Sequence, residues 1–298
     1  MGRVTCMGLT TLDVVQVVDR LPGPDEKMVA SDGWVVFGGP AANAAATSAA
    51  LGVPTRLVTA LGTGPVADLA RAGLDAAGVE VVDLAPTVPD LLPVSSVLVS
   101  GQSRAVVSRN AAGAPDLAEA AALIDPALVD PGAGGDVLLV DGHHLGAAIV
   151  LARRARAAGV HVLLDGGSWK PRFEQLLAHV DTAVLSGDLV LPGRARPGSS
   201  VEVDALLVAV AELGPRVVAR SSGPGPVRVL LGPGVVEELS PERVPAEQVV
   251  DTLGAGDVLH GAMAAALAGG AGLLDALAWG MRCATTSVRH RGALTWLA

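Results

Sequence analysis

The sequence predicts an α/β fold in which helices cover both faces of a mainly parallel central sheet, giving three layers. The first observation is the alternation after Asp136, where short apolar strands are separated by helical segments. Strands buried on both faces are apolar almost throughout, and parallel neighbours need a crossover helix between them. The second observation is a set of early strands and a hairpin outside this alternation, which predicts a small separate β sheet.

The first apolar segment, residues 4–9, predicts a strand that ends near Asp13. A carboxylate just past the end of a strand is well placed for a ligand in an α/β sheet. Residues 14–18 and 28–37 then predict two strands on either side of a proline-containing loop.

Two glycines then lead into a predicted helix of small residues, 41–51, with Asn43 in its first turn. Small side chains allow this helix to approach the sheet or a ligand closely. The Asn43 amide can donate to and accept from substrate hydroxyls. It could instead cap the helix, and both roles are open at this stage.

Residues 56–84 predict a strand, a helix and a strand, with a GxGxxA pattern at Gly62, Gly64 and Ala67. Asp83 lies about twenty residues further on, as in dinucleotide-binding units. The pattern supports an NAD-linked oxidoreductase as an alternative function. Against it, this unit is not the first βαβ unit of the chain.

Residues 94–100 and 103–108 predict a β-hairpin, with Gly101-Gln102 as a type II′ turn. Together with the two early strands, the hairpin could form a four-stranded lid from about 14–37 and 94–109. We expect such a lid to cover a binding site on the α/β body.

The regular alternation that follows brings three polar side chains, Asp141, Asp165 and Ser186, to the carboxyl ends of strands. Ligands of α/β sheets lie at this edge. The predicted strands are 137–140, 160–164, 182–185 and 216–219, and the helices are 146–158, 172–179 and 201–213. A second glycine-rich turn follows at 221–226, and two short strands come after it.

The late stretch VVDTLGAGD, residues 249–257, combines a glycine turn with the start of a helix. Gly254, Ala255 and Gly256 allow a tight turn, and apolar residues recur at helical spacing behind them. The first N–H groups of a helix lack intrahelical partners and lie at its positive end, so this turn predicts an anion site.

Asp257 lies in the first turn of the same helix, where its charge would repel a bound phosphate group. One explanation is general-base chemistry, in which Asp257 takes a hydroxyl proton while the N–H groups stabilise a transferring phosphoryl group. The other is that Asp257 only complements the helix dipole, worth about 0.3 to 1 kcal/mol.

Composition excludes several classes of protein. At 298 residues the chain fits one large domain or two smaller ones, and its net charge of −9 and pI near 5.1 argue against nucleic-acid or anionic-membrane binding. No secretory signal or membrane span is expected. Cys6 and Cys283, without zinc-site spacing, favour a reduced cytoplasmic protein.

The chain has only two lysines, Lys27 and Lys170, and neither lies in a P-loop or protein-kinase motif. Phosphoryl transfer here would therefore use backbone N–H groups, arginine and metal. His143 and His144 are adjacent and do not have the spacing of a metal-binding helical pair.

DTLGAGD, the early GGPAAN and an Asp soon after the first strand together resemble the ribokinase or PfkB family of carbohydrate kinases. The resemblance covers essentially the whole chain, and individual segments are most similar to ketohexokinase-like and sulfofructose-kinase-like members. It implies a single Rossmann-like domain, 1–298, with a β lid through which members often form homodimers. It also implies ATP and Mg²⁺, with a monovalent cation such as K⁺ as a further candidate.

The resemblance also implies site residues. Asp257 matches the catalytic base, and Gly254, Ala255 and Gly256 match the anion hole. The positions implied for the sugar are Asp13, Gly39, Asn43, Asp25, Arg104 and Asp141, with Asp25 reaching the site of the partner subunit. The positions implied for the nucleotide are Thr252, Ser186, Ser221, Gly223 and Gly225.

The chain also departs from the family pattern. The NxxE element, linked to metal and phosphate, is replaced by Ser186-Gly187-Asp188-Leu189, and the usual Thr-x-Gly of the nucleotide loop by Ala219-Arg220-Ser221. Pro40 stands where ketohexokinases have a sugar-binding Asn. His143 stands where an Arg is expected in sulfofructose kinases.

The sequence therefore predicts an ATP-dependent kinase acting on a primary hydroxyl of a small sugar of the ketohexose or pentose class. Besides the oxidoreductase, one alternative remains. It is a sugar-binding protein that keeps the fold without catalysis.

Overall fold

The computed structural model describes residues 2–100, 103–125 and 135–297. Thirteen strands form two sheets, and eight α-helices are found in these ranges. The strands are β1 (Val4–Met7), β2 (Thr11–Val17), β3 (Asp32–Gly38), β4 (Thr55–Thr59), β5 (Glu80–Asp83), β6 (Val94–Ser100), β7 (Ser103–Ser108), β8 (Val137–Val140), β9 (His161–Gly166), β10 (Thr182–Leu185), β11 (Val217–Ser222), β12 (Gly225–Gly232) and β13 (Val235–Leu239). The helices are α1 (Pro40–Ala50), α2 (Pro65–Ala76), α3 (Ala118–Ala122), α4 (Leu145–Ala157), α5 (Phe173–Leu177), α6 (Ser200–Ala211), α7 (Ala255–Ala268) and α8 (Leu273–Ser287).

The central sheet has nine strands in the order β13-β12-β11-β10-β9-β8-β1-β4-β5. All neighbours from β11 to β5 are parallel, whereas β12 and β13 are added antiparallel at one edge. This confirms the mainly parallel sheet. Its carboxyl edge gathers the ends of β8, β9 and β10, as expected for a ligand site.

Two buried clusters cover opposite faces of the sheet, and the three predicted layers are confirmed. One cluster contains residues of α1, α2, α7 and α8, and the other contains residues of α3 to α6. The small residues of α1 allow close contact with α7: a Cβ at Gly261 would lie 2.4 Å from the Ala44 carbonyl oxygen.

The second sheet has four strands in the order β3-β2-β6-β7, and it contains the segments predicted for the lid. The central strands β2 and β6 are parallel, while both edge strands pair antiparallel. The prediction that Asp13 follows the end of the first strand is wrong. β1 ends at Met7 and β2 begins at Thr11, so Asp13 lies inside the small sheet. The predicted turn at Gly101-Gln102 is outside the described residues.

Two further differences concern helices that were not predicted and the length of one strand. The helices α3 and α8 were not predicted, and β11 continues to Ser222. The glycine-rich turn predicted at 221–226 is the tight connection of a β11–β12 hairpin. Among the described helices, none is both long and apolar enough to cross a membrane. The cytoplasmic location stays a prediction.

Candidate active site

The predicted glycine turn and helix start are present at the amino end of α7. Gly254 has a left-handed backbone, with φ of 75°, and precedes the first helical residue, Ala255. The Val258 N–H donates to the Gly254 carbonyl at 2.9 Å. The N–H groups of Gly256 and Asp257 precede this bond, and they lie at the positive end of the helix. This end of α7 has the polarity of an anion site.

The Asp257 carboxylate is held by a residue from the other end of the chain. Asn43 on α1 donates its side-chain amide to Asp257 Oδ2 at 2.7 Å. The capping role considered for Asn43 is wrong, because the N-cap of α1 is Gly39, with no side-chain cap bond. The bond fixes the orientation of the Asp257 carboxylate relative to α1.

The surroundings of Asp257 favour its protonated form. Burial and the neighbouring Asp165 carboxylate raise the pKa of Asp257 to about 7. The Asn43 amide and His260 oppose this rise, while Asp141 adds to it. A carboxyl group with a pKa near neutral pH can accept and release protons under physiological conditions, as general bases do.

Asp257→Asn is expected to stabilise the protein above neutral pH. The pKa of Asp257 is 3.8 in its ordinary state and about 7 in the folded protein. Because the folded state binds this proton more tightly, the stabilising contribution is complete below about pH 4 and is lost as the pH rises through 7. The full loss would be about 4 kcal/mol, and we expect about half because the residue is only partly buried.

Thermal unfolding of the wild type and the variant at pH 5 and pH 8 measures this effect. The advantage of Asp257→Asn should increase by about 3 °C between the two pH values. Asp68→Asn is a matched control, since Asp68 is an exposed carboxylate in the first turn of α2. An advantage that is equal at both pH values would contradict the raised pKa.

One buried group beneath this turn, His260, was not identified as a site residue from the sequence, whereas Asp165 was expected at the carboxyl end of its strand. His260 lies in α7, with Nδ1 2.7 Å from the Gly256 carbonyl oxygen and 3.3 Å from Asp165 Oδ2. Its Nε2 is 3.2 Å from the Val184 carbonyl oxygen. The available sequence signal was a histidine one turn beyond Gly256 in an otherwise apolar helix.

Asp141 was predicted to bind substrate, but its contacts favour a structural role. Its two oxygens accept backbone N–H groups of Leu9 at 2.8 Å, Ala41 at 3.1 Å and His143 at 2.8 Å. Burial raises its pKa, but His143 and these donors outweigh burial and hold the pKa at about 2. Asp141 therefore fixes the ends of β8 and α1 next to Gly39, whose φ is 95°.

Asp13 lies on β2, paired with Val36 and Ser95. Its Oδ1 accepts the Thr11 hydroxyl at 2.5 Å, and burial raises its pKa. A Cβ at Gly38 would lie 2.1 Å from Asp13 Oδ2, so only glycine fits beside this carboxylate. The small sheet thus places a half-buried carboxylate beside Gly38, just before the start of α1.

The small sheet also contacts the start of the DTLGAGD stretch and the C-terminal segment. Arg104 on the edge strand β7 donates to the Thr252 hydroxyl, and Arg291 pairs with Asp32 on the other edge strand.

The first Asp of the DTLGAGD stretch, Asp251, has a structural role. It accepts the N–H groups of Leu253 at 2.8 Å and Gly292 at 2.9 Å.

The residues predicted for the nucleotide lie at the ends of β10 and β11. Ser186 accepts the Asp188 N–H at 3.1 Å, and the Ser221 hydroxyl donates to the Leu185 carbonyl at 3.3 Å. Gly223, with φ of 55°, forms the hairpin connection, whereas Gly225 is already in β12. The buried Arg220 donates to the Gly187 carbonyl at 2.5 Å and was not predicted as a site residue.

Asp25 and Asp83 lie in other segments of the chain than the glycine turn. Asp25 is exposed in the β2–β3 connection, with φ of 58°. The Asp83 carboxylate accepts N–H groups of Leu61 and Gly62 at 3.0 and 3.1 Å and pairs with Arg71. Asp83 therefore closes its own loop instead of facing a ribose. Across the described ranges, no three His, Cys, Asp or Glu side chains group as a metal site.

The model of the pfkB family of carbohydrate kinases matches residues 1–297. The chain belongs to this family. The fold and the DTLGAGD turn agree with this membership, and the oxidoreductase alternative is wrong. As a member of the pfkB family, the protein is a carbohydrate kinase.

Individual relatives are similar over nearly the whole chain. A ribokinase of Arabidopsis thaliana is 29% identical over 97% of this chain and 76% of its own length. The solved structure of Arabidopsis thaliana ribokinase complexed with ribose and ATP covers 99% of this chain and 98% of its own, at 23% identity and a TM-score of 0.73. The tetrameric inhibited form of phosphofructokinase-2 from Escherichia coli covers 97% and 94%, at 19% identity and a TM-score of 0.77. At these identities the solved structures support the fold alone.

Proposed function

We propose that this pfkB family member transfers the γ-phosphoryl group of ATP to a primary hydroxyl of a small sugar of the ketohexose or pentose class. The observation that carries the proposal is the amino end of α7, where Asp257 has a pKa of about 7 beside helical N–H groups. A base and an anion site within one turn suit a reaction that removes a proton while negative charge moves between oxygens.

In this reaction Asp257 accepts the proton of the attacking hydroxyl. The N–H groups of Gly256 and Asp257 stabilise the charge on the transferring group. Asn43 orients the Asp257 carboxylate through the 2.7 Å bond. Asp13 and the amide of Asn43 are the proposed contacts to sugar hydroxyls, and the small sheet acts as a lid that excludes water.

ATP is proposed to approach the open side of this turn, where a Cβ at Gly256 would meet no atom within 4 Å. The ends of β10 and β11, with Ser186, Ser221 and Gly223, are proposed to hold the nucleotide. Thr252 is proposed to contact its phosphates. When bound, Mg²⁺ neutralises phosphate charge. Mg²⁺ and K⁺ remain candidates from the family resemblance.

The test is ATP consumption over a panel of fructose, ribose, tagatose, sulfofructose, fructose 6-phosphate and nucleosides, with Asp257→Asn in parallel. We expect turnover on one sugar by the wild type and its loss in the variant. Calorimetric ATP binding without turnover on any panel member would contradict the proposed substrate class. Turnover that persists in the variant would contradict the assignment of the base.

We also propose that two copies associate through the outer face of the lid. Val35, Val14, Ser96 and Val107 form one cross-strand row, with Val107 74% and Val35 54% exposed. Exposed valines in register on a sheet are a plausible self-association surface. In this arrangement Asp25 could reach the partner's site.

Val107→Asp is expected to convert a homodimer into a monomer, because it buries a charge in the proposed contact. Light scattering coupled to size-exclusion chromatography measures the mass of each form. Val201→Asp is the control. Val201 is similarly exposed, at 75%, and lies on α6, outside the four strands of the lid. A wild type that elutes as a monomer would exclude the dimer.

A further inference from the structure

We propose that His260 and Asp165 form a buried ion pair beneath the phosphoryl-transfer site, which positions the first turn of α7 and adjusts the charge state of Asp257. This inference rests on the proposed role of Asp257 as the general base. His260 acts through its neighbours and is a positioning residue.

The hydrogen bonds of His260 indicate a ring with two N–H groups. Nδ1 lies 2.7 Å from the Gly256 carbonyl oxygen, and Nε2 lies 3.2 Å from the Val184 carbonyl oxygen. Carbonyl oxygens only accept hydrogen bonds, and a neutral imidazole has one N–H donor. Both contacts are satisfied only when the ring is an imidazolium.

A buried imidazolium needs a negatively charged partner, and Asp165 provides it. Asp165 Oδ2 lies 3.3 Å from His260 Nδ1, and both side chains are nearly buried, at 11% and 7% exposure. Asp165 belongs to β9, Val184 to β10 and Gly256 to α7. The ring therefore connects the turn that carries the anion site to the carboxyl ends of two central strands.

The pair also acts on the Asp257 carboxylate electrostatically. Asp165 raises the pKa of Asp257, whereas His260 lowers it. The other groups that face Asp257 are Asn43 from α1, which lowers its pKa, and Asp141 at the end of β8, which raises it. Burial raises the pKa of Asp165, and His260 is the first of the groups that oppose this rise. Asp165 also faces Asp141, which raises its pKa, and His143 and Lys170, which lower it. His260 thus offsets the like-charge repulsion that Asp165 imposes on the base.

Two substitutions should therefore give separate readouts. His260→Gln removes the positive charge and should raise the pKa of Asp257 by about one unit. Asp165→Asn removes the anionic partner of the ring, so the His260 ring should lose one of its two N–H groups. A purely structural role would predict neither change. His161→Gln is the control, because His161 lies at the opposite end of β9 from Asp165.

The experiment is NMR of purified full-length protein with ¹³C-labelled aspartate carboxyls and ¹⁵N-labelled histidine rings. The resonance missing from Asp257→Asn identifies Asp257, and its titration is followed in the wild type and the three variants. We expect a higher pKa of Asp257 in His260→Gln, no change in His161→Gln, and a His260 ring that has two N–H groups at pH 7 in the wild type and one in Asp165→Asn.

A neutral His260 ring in the wild type would overturn the proposal, even if a variant failed to fold. An unchanged Asp257 titration in His260→Gln, or a His260 ring that keeps both N–H groups in Asp165→Asn, would also overturn it. Neither readout requires turnover, so failure to find a sugar substrate would count against the proposed function alone. Where a substrate is found, the acid limb of kcat/KM should follow the NMR titration, moving to higher pH in His260→Gln.

Discussion

Asp257→Asn is expected to lower kcat by about 10²- to 10⁴-fold while ATP affinity stays close to that of the wild type. Asparagine keeps the shape of aspartate and can still accept the Asn43 amide bond, but it cannot take a proton from a hydroxyl. The anion site is made of backbone N–H groups and is unchanged. The loss should therefore fall on the chemical step.

The pH dependence of the wild type provides a second measure of the same group. Only the ionised carboxylate can act as a base, and the pKa of Asp257 is about 7. We expect kcat/KM to rise with pH and to level off above about pH 7. The variant should lack this dependence in whatever activity remains.

Asp68→Asn separates this role from a simple interaction with the helix dipole. Asp68 also lies in the first turn of its helix, α2, and is exposed to solvent. If dipole complementation were the whole function of Asp257, both variants would lose only about 0.3 to 1 kcal/mol of stability and keep their activity. Near-full turnover by Asp257→Asn would exclude it as the base.

Gly254→Ala is expected to reduce both stability and activity. The left-handed φ of 75° costs a residue with a Cβ about 1 kcal/mol. The added Cβ would also lie 2.6 Å from the Ala293 Cβ, so either the turn or the C-terminal segment must move. Displaced N–H groups stabilise the transferring phosphoryl group less well, and we expect about a 10²-fold loss of kcat.

Gly234→Ala is the matched control for backbone strain. Its φ is 74°, and a Cβ there would meet no atom within 4 Å. This variant should lose about 1 kcal/mol of stability with unchanged kinetics. Denaturant unfolding and steady-state kinetics on both variants give the comparison. Equal stability losses and unchanged kcat in Gly254→Ala would show that contact with Ala293 does not position the turn.

The sequence by itself determined the features that depend only on residues close together in the chain. The glycine turn before α7 follows from the backbone freedom of Gly254, and the helix follows from its apolar spacing. The central strands β8 and β10 lie where continuous apolar segments predicted them. Repeated short apolar strands with helical crossovers were sufficient to predict a three-layer α/β fold, because a parallel sheet must be covered on both faces.

Local patterns were insufficient where a side chain's role depends on its distant neighbours. Asn43 could be a cap or a ligand until the structure placed the N-cap of α1 at Gly39 and hydrogen-bonded Asn43 to Asp257, 214 residues away. Asp13 was placed past a strand end because residues 4–9 predict one strand, although Gly8 lies in the break between β1 and β2. Asp141 follows β8 and Asp83 is the last residue of β5, but backbone N–H groups from other segments occupy their oxygens.

The tertiary structure also decided which buried charges meet. Asp165 and His260 belong to separate crossover units, and the order β8-β9-β10 with α7 packed against the sheet brings them within 3.3 Å. Hydrogen bonds and ion pairs act over a few ångströms, and the chain order of two residues does not give that distance. The sequence therefore determined the glycine turn and the place of Asp257 after it, and the packing of α1, α7 and the strand ends decided their environment.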